Sequence, residues 1–135
     1  MPGAPAGRIY SEIMQFIRND PATLSIRRIE RGALTIGENS VTETIALTSG
    51  KLIRDWPGLA IDQIDLPTLD RLLAEDPEVI VLGTGWQQNF PPKELMFALA
   101  RRGIGFEAMN TPAACRTFNI LVDEGRRAAA LLLID

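Results

Sequence analysis

Apolar residues recur along this chain with three different periods, and each predicts a different kind of element. Ile9, Ile13, Phe16 and Ile17 stand at helical spacing and predict a short amphipathic helix over 9–18, which Asp20-Pro21 terminates. From Thr23 the pattern changes to alternation. Leu24, Ile26 and Ile29 stand among Ser25, Arg27, Arg28 and Glu30, and Leu34 to Ile36 runs into a turn at Gly37–Ser40. Val41 to Leu47 alternates again, and Ser49-Gly50 turns the chain into Lys51–Trp56 before Pro57-Gly58 ends the run. These are short antiparallel strands joined by tight turns.

Strand and helix then take turns. Asp65-Leu66-Pro67 predicts a helix start, with Leu69, Leu72 and Leu73 on one face through about Ala74. Val79 to Leu82 is a continuous apolar run, as a strand buried on both faces should be. Pro92 opens a helix carrying Leu95, Met96, Leu99 and Ala100, which stops at Gly103. Ile104–Met109 is the next strand, Thr111-Pro112 is read as the cap of a helix reaching Gly125, and Ala128–Ile134 is a last buried strand. The alternation predicts an α/β fold with at least one parallel strand pair and a right-handed crossover. One domain over 9–135 is expected, behind a Pro/Gly/Ala-rich, disordered lead-in at 1–8. The helix at 9–18 either lies on its own domain or pairs with a second copy or a partner.

Composition removes whole classes of chemistry. The 135 residues carry a net charge of −3 and include no histidine and one cysteine, Cys115. Without imidazole, no Ser-His-Asp or Cys-His machinery forms within this chain, and a lone sulfur cannot build a zinc site of the usual kind. No metal and no cofactor are expected. The basic residues are 12 arginines with only Lys51 and Lys93, scattered through an acidic chain, so the basic stripe of a nucleic-acid binder is missing. No run approaches the ~18 apolar residues of a membrane span. With no signal or transit peptide visible at the start, the expected location is the cytoplasm.

What chemistry remains gathers at one edge. If the strands at 79–82 and 104–109 are parallel, the loops after them, Gly83-Thr84-Gly85-Trp86-Gln87-Gln88-Asn89 and Asn110-Thr111-Pro112, meet at the carboxyl end of the sheet, where open α/β sheets collect ligands. A helix N-terminus there attracts anions, and Arg116 offers a fork for a carboxylate or phosphate. Thr84, Thr111, Thr117 and Asn119 add hydrogen-bonding groups. The motif is neither a dinucleotide fingerprint nor a phosphate loop, and the competing reading is that Gly83 and Gly85 only permit a positive φ in a tight turn. Cys115 beside Arg116 is a candidate nucleophile, yet Ala114, Cys115, Phe118, Leu121, Val122 and Gly125 form one stripe, the mark of a core face. Lys93 is a second weak candidate for chemistry. Trp56 and Trp86 are candidates to stack on a ligand or to pack as aromatic core.

The blocks Pro77–Gly85, Gly103-Ile104, Met109–Asn119 and Glu124–Arg126, with Ser49-Gly50 and Trp56, resemble a family of small α/β domains of unknown function. That family includes the mitochondrial respiratory complex I assembly factor of the "factor three" type and the adipogenesis-associated Mth-domain proteins. The resemblance implies a mixed central sheet with flanking helices and an added antiparallel β-hairpin layer. It matches Gly83, Thr84, Gly85, Thr111, Cys115, Arg116 and Asn119 to the family's motif positions without giving them roles. It implies no catalytic activity. The mitochondrial members act by binding another assembly factor and complex I subunits, and a chain with no presequence is expected to be a bacterial relative. The expectation is a non-enzymatic binding or assembly protein using the 83–88 and 110–119 edge. The alternative is a small-anion binding protein or enzyme anchored by Arg116, and pairing into a homo-oligomer stays open.

Overall fold

A computed structural model describes residues 24–135; the expected lead-in and the helix at 9–18 lie outside the described residues. Two sheets share the chain. Strands β1 (Ile26–Glu30), β2 (Ala33–Ile36) and β3 (Asn39–Val41) form an antiparallel meander. Strands β4 (Ile45–Thr48), β5 (Lys51–Ile53), β6 (Val79–Thr84), β7 (Gly105–Met109) and β8 (Ala128–Leu133) form a mixed sheet in the order β5-β4-β8-β6-β7. In it β6 runs parallel to both β7 and β8, and β4 runs antiparallel to β5 and β8. The helices are α1 (Asp70–Leu73), α2 (Lys93–Arg101) and α3 (Thr111–Asp123), with 3₁₀ turns at Ile61–Gln63 and Pro67–Leu69.

The layering follows from side-chain alternation. Val79 and Val81 of β6 point into one core with Ala128, Ala130 and Leu132 of β8; Ile80 and Leu82 point into the other with Ala129, Leu131 and Leu133. An uninterrupted apolar run is thus what a strand covered on both sides requires. The chain moves from β6 one place to β7, then back past β6 to β8. Right-handed crossovers in opposite directions put α2 and α3 on opposite faces. The α3 face also carries the β1–β3 sheet: Ile26, Leu34, Ile36 and Val41 pack with Cys115 and Phe118. On the other face Ile64, Leu69, Leu72, Leu95 and Leu99 cover the sheet.

Three expected elements differ in detail. The alternating run from Val41 to Leu47 is two strands, because a bend before Ile45 carries the chain from one sheet to the other. The turn before it is shorter than expected: Gly37, at φ 58, and Glu38 make it alone, and Asn39-Ser40 already belong to β3. The helix from Asp65 breaks into a 3₁₀ turn and a four-residue helix where Leu69 adopts φ −90, ψ 3. Asp65 does cap this segment. Its carboxylate accepts from the Thr68 hydroxyl (2.7 Å) and N–H (3.0 Å), and these bonds hold its carboxyl below the usual carboxylate range.

Candidate functional site

Because the loop after β6 leads to α2 and the loop after β7 leads to α3 on the other face, the carboxyl ends of these neighbouring parallel strands form a switch point. The structure brings Gly83, Thr84, Gly85, Trp86, Asn110 and Thr111 together there, as the sequence predicts. What it does with their polar atoms differs from the expectation. The Thr111 hydroxyl accepts from the Gly85 N–H (2.9 Å) and donates to the Leu133 carbonyl (2.6 Å), tying the ends of β6, β8 and α3 at one buried atom. The Thr84 hydroxyl donates to the Gln87 carbonyl (2.8 Å) and accepts from the Asn89 N–H (3.1 Å), fixing the intervening loop.

The α3 N-terminus is likewise engaged. Its cap is Asn110, not Thr111: the Asn110 side chain accepts from the Ala113 N–H at 2.9 Å. The Thr111 N–H donates to the Gly85 carbonyl (2.7 Å), Pro112 has no N–H, and the Ala114 N–H donates to the Asn110 carbonyl (2.9 Å). The free donors that an anion needs are therefore taken. An anion of the chain's own already stands beside the loop, where Asp135 Oδ1 accepts from the Trp86 N–H at 2.9 Å. The void among Trp86, Thr111, Leu133 and Asp135 is about 10 Å³, which is room for about one water at most.

The two motif glycines have different reasons. Gly85 sits at φ 99, as a turn glycine should. Gly83 has no positive φ; a Cβ there would lie 2.8 Å from Thr111 Oγ1 and 3.0 Å from Thr111 Cα. It is glycine because α3 begins against it.

Further from the edge, the remaining candidates separate. Asn119 accepts from the Ile26 N–H (2.9 Å) and donates to the Ile26 carbonyl (2.8 Å), so both ends of its amide pin β1 to α3. The Thr117 hydroxyl donates to Met109 Sδ at 3.3 Å. Cys115 is wholly buried, and desolvation pushes its thiol up to about 12, against a smaller opposing pull from Arg116. That is the reverse of an activated nucleophile. Arg116 is exposed and has no ion-pair partner among the described residues, and Lys93 is exposed at the first position of α2. Trp56 is not free to stack on a ligand edge. Its Nε1–H donates to the Ile53 carbonyl (2.7 Å), and the Arg71 guanidinium lies 4.8 Å over its ring.

Among the described residues, the exposed aromatic side chains lie between the end of β6 and α2, and Ile120 of α3 is also open. Phe90 is 80% exposed and Phe97 60%, with Met96 and Trp86 also open, so apolar side chains line the loop leaving β6 and the outer face of α2. Beside them a cleft of about 600 Å³ runs between residues 62–66 and α2. Met96, expected with Leu95 and Leu99 on the apolar side of α2, is instead exposed, because only Leu95 and Leu99 reach the sheet; Phe97 stands on the opposite side of the helix, and the cleft leaves no mark in the sequence pattern. Among the described residues there is no cluster of three metal-ligating side chains, and no helix long and apolar enough to cross a membrane.

A mixed sheet with helices on both faces and a three-stranded antiparallel layer defines a small α/β domain whose motif residues close the switch point. The chain belongs to the family described as "protein of unknown function (DUF498/DUF598)", whose model matches residues 26–133. Over 62 residues it is 47% identical to the NADH dehydrogenase [ubiquinone] 1 alpha subcomplex assembly factor 3 of Danio rerio, a match that covers 46% of this chain and 36% of that protein. Over 73 residues it is 37% identical to the 13 kDa major membrane protein of Francisella tularensis, covering 54% of this chain and 59% of that one. The chain thus matches less than two thirds of the length of these curated relatives. The solved structure of a Xanthomonas campestris protein superposes with a TM-score of 0.76 at 32% identity, covering 99% of this chain and 92% of that one.

Proposed function

We propose that this domain is a protein-binding module that serves the assembly of a larger complex, using the surface that leaves the carboxyl edge of β6. The observation that carries the reading is the exposed apolar series Trp86, Phe90, Met96 and Phe97. A large apolar side chain held open to water costs solubility, and its ordinary return is a contact with another polypeptide. The polar atoms of the neighbouring motif support the same reading by being spent internally: Thr84, Asn110 and Thr111 shape and stiffen the platform from which the aromatic loop departs. The name of the Danio rerio relative, an assembly factor, points the same way.

Affinity capture from the host organism tests it, comparing the wild-type chain with a Phe90→Ser/Phe97→Ser variant of unchanged melting temperature. The expected result is a polypeptide recovered by the wild type and lost with the double variant. A bare chain, or a polypeptide retained by the double variant, overturns it. The anion-binding reading now rests on Arg116 alone, and a small bound mass lost in Arg116→Ala would restore it in place of a partner.

A further inference from the structure

Among the described residues, the face of the sheet covered by α2 carries one full helix. α1 has four residues and the neighbouring segment 61–69 forms only 3₁₀ turns, so among the described residues no second full helix packs alongside α2, where one would ordinarily sit about 8–10 Å away. The gap is the cleft of about 600 Å³. Its α2 wall is a single stripe, Glu94, Leu95, Ala98 and Arg101, in which Ala98 stands three or four residues from each of the others, and it spans about 10 Å of the helix at ~1.5 Å per residue. Ile64, Leu66, Leu95 and Ala98 give it an apolar floor. The rim is acidic. Asp62, Asp65 and Glu94 stand around the floor against the single guanidinium of Arg101, and none of the three carboxylates has an ion-pair partner among the described residues.

We infer that this groove receives a basic amphipathic helix of the partner polypeptide, with its apolar stripe on the Leu95–Ala98 floor and its lysines or arginines against Asp62, Asp65 and Glu94. The inference deepens the partner-binding reading and rests on it. Three features choose this occupant. The length of the α2 stripe matches about two turns of helix, the floor asks for side chains at i, i+3/i+4 and i+7, and carboxylates with no ion-pair partner among the described residues ask for cations on both flanks. An acidic or uniformly polar segment would leave the floor empty or meet like charge across it. Phe97, one position round the helix from Ala98, lies beyond the rim where it extends the apolar contact.

The test is fluorescence anisotropy with a labelled synthetic peptide of about four helical turns, leucines at the core spacing and lysines on both flanks. Two controls accompany it: the same residues scrambled so that the leucines no longer share a face, and glutamate in place of lysine. The lysine-flanked helix should bind the wild-type protein. Ala98→Trp, which fills the floor, and Glu94→Lys, on the exposed rim, should each weaken it about tenfold or more, with melting curves confirming that both variants fold. Equal binding of the scrambled or glutamate peptide, or indifference to both substitutions, overturns the groove. The two proposals fail separately. Captured polypeptide lost in Phe90→Ser/Phe97→Ser but kept in Ala98→Trp and Glu94→Lys removes the groove and leaves the partner. A bare chain in every capture removes the partner reading, and the inference that rests on it.

Discussion

The two faces of the central sheet are finished in opposite ways. On the α3 face the β1–β3 sheet packs beside the helix into one core, with Ile120 of α3 left open, and side-chain amides and hydroxyls lock the layers: Asn119 to Ile26, Thr111 to Gly85 and Leu133. On the α2 face the cover is one helix and a string of short turns, with a groove beside it and Phe97 pointing out. Among the described residues no buried side-chain nitrogen or oxygen lacks a partner, so polar groups are settled throughout. The difference lies in apolar surface. One face spends nearly all of it on folding, with Ile120 the exposed exception among the described residues, and the other leaves the larger series Phe90, Met96 and Phe97 open. The residues that lock the sealed face should therefore register in stability, and the exposed apolar residues of the open face should not.

Thr111 puts that division to its hardest trial. Thr111→Val keeps the shape of the side chain but strips partners from a buried N–H and a buried carbonyl at once. Each orphaned group costs about 1–3 kcal/mol, so a loss of about 2–6 kcal/mol is expected in urea unfolding. A loss below about 1 kcal/mol would mean that water replaces the hydroxyl and that the edge is a wet site after all. Asn119→Ala comes next. It frees both polar groups of Ile26 at a half-buried place, with an expected loss of about 1–3 kcal/mol and faster amide exchange confined to β1 and β2. Exchange that quickens equally in β6 would show that the three-stranded layer does not open separately.

A smaller effect follows from Cys115. Its thiol ionises near its ordinary value of 9.0 in the unfolded chain and is pushed up to about 12 by burial in the folded one. Between those values the unfolded state has lost a proton that the folded state keeps, so stability falls as pH rises, by up to ~1.4 kcal/mol per pH unit. Well below pH 9 the group contributes no slope. Unfolding measured at about pH 8, 9 and 10, a range that spans the onset of this ionisation, should show the extra fall in the wild type and not in Cys115→Ala. Identical pH profiles for the two proteins would place the thiol in contact with water.

Much of this architecture is legible in the sequence because burial on two faces leaves a strong mark. Val79–Leu82 and Ala128–Ile134 are apolar without a break, and the stripe through Cys115 and Phe118 foretells which side of α3 is core. The edge at Gly83 and Thr111 is legible as a place. Its chemistry is not, because a threonine that bonds backbone and a threonine that bonds ligand are the same letter until its neighbours have positions. Asn110 shows this well: one residue decides whether the helix N-terminus is open, and only its Oδ1 to Ala113 distance says so. Asp135 carries no pattern at all, since its role depends on β8 ending beside Gly85. The groove is invisible for a different reason. It arises from the shortness of α1 and the 3₁₀ turns at 61–69, which a helical periodicity through Leu69, Leu72 and Leu73 disguises as a longer helix.

Phe97→Ser should have the smallest effect on stability, and its smallness is informative. Phenylalanine and serine have similar helix propensities, and a side chain 60% exposed has little contact to lose, so unfolding free energy should move by no more than about 0.5 kcal/mol. If Phe97 instead behaved like a core residue, with a loss of about 2 kcal/mol or more, its ring would be covered by residues outside 24–135. That outcome would close the open face with the chain's own sequence. The same substitution measured in a shortened chain that begins at Leu24 would then separate cover by those residues from a need of α2 itself for the ring. A loss that disappears on this truncation identifies the removed residues as the cover, and a loss that stays shows that α2 itself needs the ring. A change near zero in both leaves Phe97 as surface held for something other than folding.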